Sequence, residues 1–268
     1  MNTTTDMMID PWITDFLIFA AVGFFAQLID GALGMGYGVI SSTVLLASGV
    51  PPAHTSASVH AAKLFTTAAS GASHMLHGNV DRRILVILCI AGSLGGIIGA
   101  LVLVNVAAAA IRPFVFCYLG VMGLVIIWRG LMFPANKTVP GKFIAPLGAA
   151  GGFLDAIGGG GWGPVVTSSL IGAGAPPRYV VGTVNAAEFV VTAAVVSAFA
   201  VFLVAGVWAE SHGLGSHLVA IAGLIAGGLP SAFLAGWLLK IAPRKPLMIA
   251  VGLLICSIAG WEISKGLF

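Results

Sequence analysis

The chain has 268 residues, of which 59% are hydrophobic and only 8% are charged, against about 25% charged in an ordinary soluble domain. A soluble fold of this size leaves too much surface wet to hide so much apolar side chain, so a water-soluble protein is excluded. The net charge is +3 and no basic cluster is interleaved with aromatics, so no nucleic-acid partner is expected.

The first fifteen residues carry Asp6, Asp10 and Asp15 and no Lys or Arg, unlike the basic start of a cleavable signal peptide. Eight apolar segments follow, punctuated by Gly, Pro and charge: 14–48, 54–77, 84–105, 112–132, 143–172, 179–207, 216–240 and 246–265. Most are near 20 residues, which matches a hydrocarbon layer of roughly 30 Å spanned by helix. The exceptions are 14–48 and 143–172. Both are too long for one crossing and both are interrupted by glycines. The stretch 133–142, with Pro134, Lys137, Pro140 and Lys142, is the most polar internal connection and divides the chain in two. Cys89, Cys117 and Cys256 lie inside apolar runs and imply no disulfide framework.

The halves resemble each other. With a shift of 125 residues, Asp30-Gly-Ala-Leu-Gly-Met-Gly-Tyr-Gly38 falls on Asp155-Ala-Ile-Gly-Gly-Gly-Gly-Trp-Gly163. Without a gap, Gly49-Val-Pro-Pro52 falls on Gly174-Ala-Pro-Pro177, and Val59-His-Ala-Ala-Lys63 on Val184-Asn-Ala-Ala-Glu188. Between Asp30 and Thr67 there are 12 identities, the mark of a duplicated unit. Lys and Arg should gather on the cytoplasmic side. If segments 14–48 and 143–172 each cross once, the two sides hold six and five. If each dips in and returns, one side holds Arg82, Arg83, Arg129, Lys137, Lys142, Arg178, Lys240, Arg244 and Lys245, and the other only Arg112 and Lys265. The re-entrant reading satisfies the rule. The expected fold is therefore an all-α polytopic membrane protein of two inverted repeats, each a broken re-entrant helical hairpin plus three transmembrane helices. Residues 1–13 form an extracytoplasmic segment, 14–132 the first repeat, 133–142 a cytoplasmic linker and 143–268 the second repeat. Inverted repeats with broken helices are typical of secondary transporters.

The glycine patches are the strongest functional signal. Irregular backbone at membrane depth needs protein cover or a wet cavity. The half-helices starting near Tyr37 and Trp162 present amides without helical partners at the positive end of the helix dipole, which suits an anion. Gly36, Tyr37, Gly38, Gly161, Trp162 and Gly163 are the expected backbone part of a binding site; tight helix packing is the alternative use of these glycines. Lys63 and its mate Glu188 sit deep in their spans, where ionisable groups mark a pathway. They read as an anion attractor with a proton acceptor, or as a Lys–Glu bridge. His60 and Asn185 lie one turn earlier on the same faces. Asp30 and Asp155 could cap the half-helices or, with Glu188, couple protons. His74 and His77 invite a metal, but no Cys or carboxylate cluster completes a site, and no metal or cofactor is expected. Trp12, Trp208, Trp237 and Trp261 read as interface-belt residues.

The motif Asp30-x3-Gly-x-Gly-Tyr-Gly38, its repeat Asp155-x3-Gly-x-Gly-Trp-Gly163, the two Gly-x-Pro-Pro turns and Arg178-Tyr-Val-Val-Gly-Thr183 resemble the TauE/SafE sulfite exporter family over essentially the whole chain. The resemblance implies a permease for small anionic sulfur compounds such as sulfite, thiosulfate and sulfonates, in the bacterial inner membrane. The run Gly158-Gly-Gly-Gly161 is richer in glycine than the first patch, so the two sides of the site are not equivalent. The expected function is export of sulfite or a small organosulfonate such as sulfoacetate by proton-coupled alternating access, not an enzyme, with the lipid bilayer as partner and a homodimer left open. Two other readings stand beside it. One is an intramembrane metal enzyme using His60, His74, His77 and Glu188; the other is a passive anion channel.

Overall fold

A computed structural model of the chain describes residues 10–131, 141–208, 215–238 and 244–267. Most of the N-terminal segment and of the linker expected at 133–142 lie outside these residues. Among the described residues there is no strand. The helices are α1 (Pro11–Leu33), α2 (Tyr37–Ala47), α3 (Pro52–Leu76), α4 (Arg82–Asn105) and α5 (Ala108–Leu131). After them come α6 (Ile144–Gly158), a π-helical turn (Gly163–Thr167) running into α7 (Ser168–Gly172), then α8 (Pro177–Val204), α9 (Gly215–Leu238) and α10 (Arg244–Leu267). Each of the eight apolar segments is helical, and the two overlong ones are the two that break. Proline opens α1, α3 and α8, where its missing N–H costs nothing. Asp81 opens α4 by accepting from the amides of Arg83 at 2.9 Å and Ile84 at 3.1 Å.

The molecule is a multi-pass membrane protein. Among the described residues, five helices are long and apolar enough to cross a bilayer. Its outward side chains include Leu17, Phe25, Ile90, Leu94, Phe114, Leu124 and Val201, whereas Lys63, Asp155 and Glu188 are buried. That is the reverse of a water-soluble surface. Trp12 and Trp261 are exposed as expected, but Trp208 is buried, with its ring 5.7 Å from Phe199 and 5.0 Å from His54. The chain folds it under the start of α3, so it does not face a lipid interface.

Helix pairing repeats between the halves. Helix α1 packs on α9 as α6 packs on α4, α3 meets α9 as α8 meets α4, and the mates α3–α8 and α5–α10 pack on each other. Glycine makes the tightest of these contacts, as small residues do where packing drives helix association. A side chain on Gly95 or Gly152 in the α4–α6 contact, or on Gly227 in the α1–α9 contact, would run into a facing carbonyl.

Contacts at the ends of the helices define the chain path. Arg112 at the start of α5 pairs with Glu262 near the end of α10 at 3.4 Å, and Gly130 near the end of α5 lies against Lys245 and Met248 at the start of α10. These mates therefore run antiparallel. The segment from α6 to α7 begins and ends beside one loop: Gly141 lies against the Arg83 guanidinium, and Thr183 at the start of α8 accepts from the Asp81 amide at 2.8 Å. Gly172, at the end of α7, abuts Arg129 at the end of α5. At the opposite end, the Phe16 carbonyl lies on Gly223 near the start of α9, and His54 at the start of α3 meets Trp208, which precedes α9.

Candidate functional site

The two helix breaks touch. Helix α1 ends on Gly34 at φ +70° and α6 on Gly159 at φ +69°, left-handed positions that glycine takes without strain. Gly38 then lies directly on Gly159 and Gly160, and Gly163 lies on Gly34 and Met35. Added Cβ atoms would collide with backbone at Gly38, Gly160 and Gly163, so the crossing exists because these positions carry no side chain. Thr167 reaches across it and donates to the Gly34 carbonyl at 3.3 Å.

Each aspartate caps the half-helix that follows it. Asp30 Oδ1 accepts from the Tyr37 amide at 3.2 Å, and Asp155 Oδ1 accepts from Gly161 at 2.7 Å and Trp162 at 3.0 Å. The Tyr37, Gly161 and Trp162 amides, which the sequence offered to an anion, are thus bonded to carboxylates here. Pro164 has no N–H, and the Val165 amide bonds to Gly161 at 3.0 Å. The second half-helix therefore has few free donors at its start. The aromatic residues anchor the crossing outward. Tyr37 Oη donates to Leu224 at 3.2 Å and Trp162 Nε1 to Val184 at 3.0 Å.

Beside the crossing sits a buried charge network. Lys63 on α3 donates to Asp155 Oδ1 at 3.1 Å and Oδ2 at 3.0 Å, and pairs with Glu188 Oε1 on α8 at 2.7 Å. His60, one turn earlier, has Nε2 3.0 Å from Asp155 Oδ2 and Nδ1 2.8 Å from the Ser56 carbonyl. Lys63 is 1% exposed, Asp155 0% and Glu188 7%. Asp30 and Asn185 are buried too. Of the residues singled out in the sequence, His60, Lys63, Asp155 and Glu188 form one bonded network, and Gly161 and Trp162 join it through Asp155. Tyr37 joins Asp30 instead, while Gly36, Gly38 and Gly163 shape the crossing. Lys63 has three N–H donors, and three carboxylate oxygens face it. Two carboxylates, Asp155 and Glu188, thus share one lysine.

The four residues of the metal-enzyme reading do not converge on one ion. Helix α3 runs unbroken through His60 and His74. At 1.5 Å rise per residue they stand roughly 21 Å apart, so they cannot share an ion. Among the described residues no group of three His, Cys, Asp or Glu side chains is placed to hold one ion.

Two residues that the sequence did not flag also reach this place. The Ser42 hydroxyl from α2 lies against Gly159 and the Tyr118 hydroxyl from α5 against Gly161.

A family model described as "Sulfite exporter TauE/SafE" matches residues 19–262. The chain is similar to the Bacillus subtilis (strain 168) protein described as "Probable membrane transporter protein YtnM", at 42% identity over 243 residues, covering 88% of this chain and 78% of that protein. No solved structure matches.

Proposed function

The chain belongs to the sulfite exporter TauE/SafE family, and from that premise we propose a secondary transporter that exports a small sulfur-containing anion, sulfite or a small organosulfonate such as sulfoacetate, by proton-coupled alternating access. The observation that carries this reading is Lys63, fully buried and held between Asp155 and Glu188 beside two touching helix breaks. A charge at that depth is costly and marks a pathway by default.

The network suggests how cargo and proton meet. All three donors of Lys63 face carboxylates, so an anion reaches it only by replacing one. Asp155 is fixed by His60 and two backbone amides, whereas Glu188 meets Lys63 through one oxygen. Glu188 is the group displaced. Left without its partner, a buried carboxylate is too costly to stay charged and takes a proton. Anion and proton then bind together, with Asp30 and Asp155 as the other coupling groups. Because binding takes up a proton, anion affinity falls as pH rises.

The antiparallel α5–α10 pair and the return of α6–α7 to the loop at 79–83 support inverted repeats, which would rock against each other about the crossing. The nine-to-two distribution of Lys and Arg supports an extracytoplasmic N-terminus in the bacterial inner membrane.

The test is a titration of purified protein with sulfite, thiosulfate, sulfate and small sulfonates in weak buffer. At least one sulfur oxyanion should bind with uptake of a proton, and Glu188→Gln should bind without it. Binding of none of them would sink the reading. In proteoliposomes a pH gradient should drive the anion uphill; flux that only ever runs downhill would favour the channel.

A further inference from the structure

Two buried hydroxyls press on the glycine turn at 158–161 with nothing to bond to. Ser42 is 0% exposed, and neither its Oγ nor the buried Tyr118 Oη has a hydrogen-bond partner. A Cβ on Gly159 would run into Ser42 Oγ, with Ser42 Cβ at 3.2 Å and Ser56 Cα at 3.5 Å. A Cβ on Gly161 would run into Tyr118 Oη, and one on Gly158 would stand 2.7 Å from Tyr118 Cδ1. The two hydroxyls therefore lie over bare backbone at the two ends of one turn, delivered by different helices.

Of the neighbouring hydroxyls, Ser41 is also without a partner, but the others are satisfied. Thr43, next along α2, donates to the Val39 carbonyl at 2.6 Å, and Thr67 donates to the Lys63 carbonyl at 2.7 Å. Ser56 donates to the Ala156 carbonyl. Thr167, the repeat mate of Ser42, donates to Gly34. Serine and threonine in membrane helices satisfy themselves in this way as a rule, and a buried hydroxyl left unmade is costly. Two such exceptions on one turn point to a partner that is not part of the chain.

We propose that Ser42 and Tyr118 are the hydroxyl donors that seat the oxygens of a bound sulfur oxyanion on the turn at 158–161. Both groups can donate, and Asp155, the nearby carboxylate, already accepts from Lys63, Gly161 and Trp162 and faces His60. The free donors thus await an acceptor from outside. Charge compensation comes from Lys63, which bonds to the same Asp155 oxygen as the Gly161 and Trp162 amides of this turn. The seat belongs to the second break alone. At the first break the equivalent hydroxyl, Thr167, is spent on Gly34, so the two sides of the site differ in kind. Glycine at 159 and 161 keeps side chains out from under the hydroxyls. The assignment rests on the reading of the chain as an anion carrier.

The test uses the full chain in detergent, titrated with sulfite and with methanesulfonate. Tyr118→Phe and Ser42→Ala should each weaken binding by about 5- to 100-fold, the effect of one lost buried hydrogen bond. Without anion both variants should melt at or above the wild-type temperature, since each removes an unsatisfied polar group. A merely structural hydroxyl would give the opposite: lower melting and unchanged affinity. Ser48→Ala, at the exposed end of α2, should change neither. If wild type binds and both variants bind as tightly, the seat is wrong and the carrier reading stands. If wild type binds neither anion, both fall. If the variants lose a sodium requirement instead of anion affinity, the hydroxyls hold a cation and the proposal is overturned.

Discussion

At the scale of single residues, Lys63 governs the behaviour of the interior. It is paired with two buried carboxylates, so removing it leaves Asp155 and Glu188 without their shared cation. Breaking a buried ion pair from one side costs about 3–5 kcal/mol. Lys63→Met should therefore lower the melting temperature of the purified protein markedly. Adding Glu188→Gln should recover part of the loss, a coupling that a double-mutant cycle reads directly. A Lys63→Met protein as stable as wild type would show that the network does not hold α3, α6 and α8 together. These residues were legible in the sequence because ionisable groups are rare in apolar runs, and the repeat set Lys63 opposite Glu188. Ser42 and Tyr118 were not. Serine in a membrane helix is commonplace, and spacing cannot tell whether its hydroxyl is spent on its own backbone, as in Thr43, or left over.

At the scale of elements, the crossing of the two breaks depends on backbone touching backbone. A Cβ on Gly160 would collide with Val39 and Gly38. The packed interior has no room to absorb it. Gly160→Ala should abolish the monodisperse folded peak in size-exclusion chromatography or, if folded, abolish transport. Gly260, inside α10, has nothing within 4 Å of its Cβ position. Gly260→Ala should be neutral or stabilise by up to about 1 kcal/mol, the helix-propensity difference. Equal effects at the two sites would refute the contact. The glycine patches announced the breaks, because a long apolar segment with clustered glycine cannot continue as one helix. They did not announce that the breaks meet; capping by Asp30 and Asp155 was one of the two uses the sequence allowed those residues, and the structure shows it.

At the scale of the whole molecule, the re-entrant path predicts that repeat mates face opposite sides of the membrane. Ser48, after α2, and Ala173, after α7, are 125 residues apart and both exposed. In sealed spheroplasts a membrane-impermeant thiol reagent should reach Ser48→Cys from outside and should leave Ala173→Cys unlabelled until the membrane is opened. Labelling of both from one side would end the inverted arrangement. The paired variant Arg112→Cys with Glu262→Cys should be joined by a short bis-maleimide linker, since the tips of the native side chains meet at 3.4 Å.

Membrane residence, the duplication, the number of helical segments and the places where they break were determined by the sequence alone. They follow from local properties: the length of apolar runs, the spacing of glycine and proline, and the scarcity of charge. Which helices meet was decided only in three dimensions. The sequence allowed Lys63 to be a free anion attractor or a bridge; tertiary packing brings α6 beside α3 and closes it onto Asp155 as well as Glu188. The hydroxyls of Ser42 and Tyr118 converge on one turn only because α2 and α5, far apart in the chain, pack around the end of α6. Partnership between side chains distant in sequence depends on how helices stack, and no run of neighbouring residues encodes it.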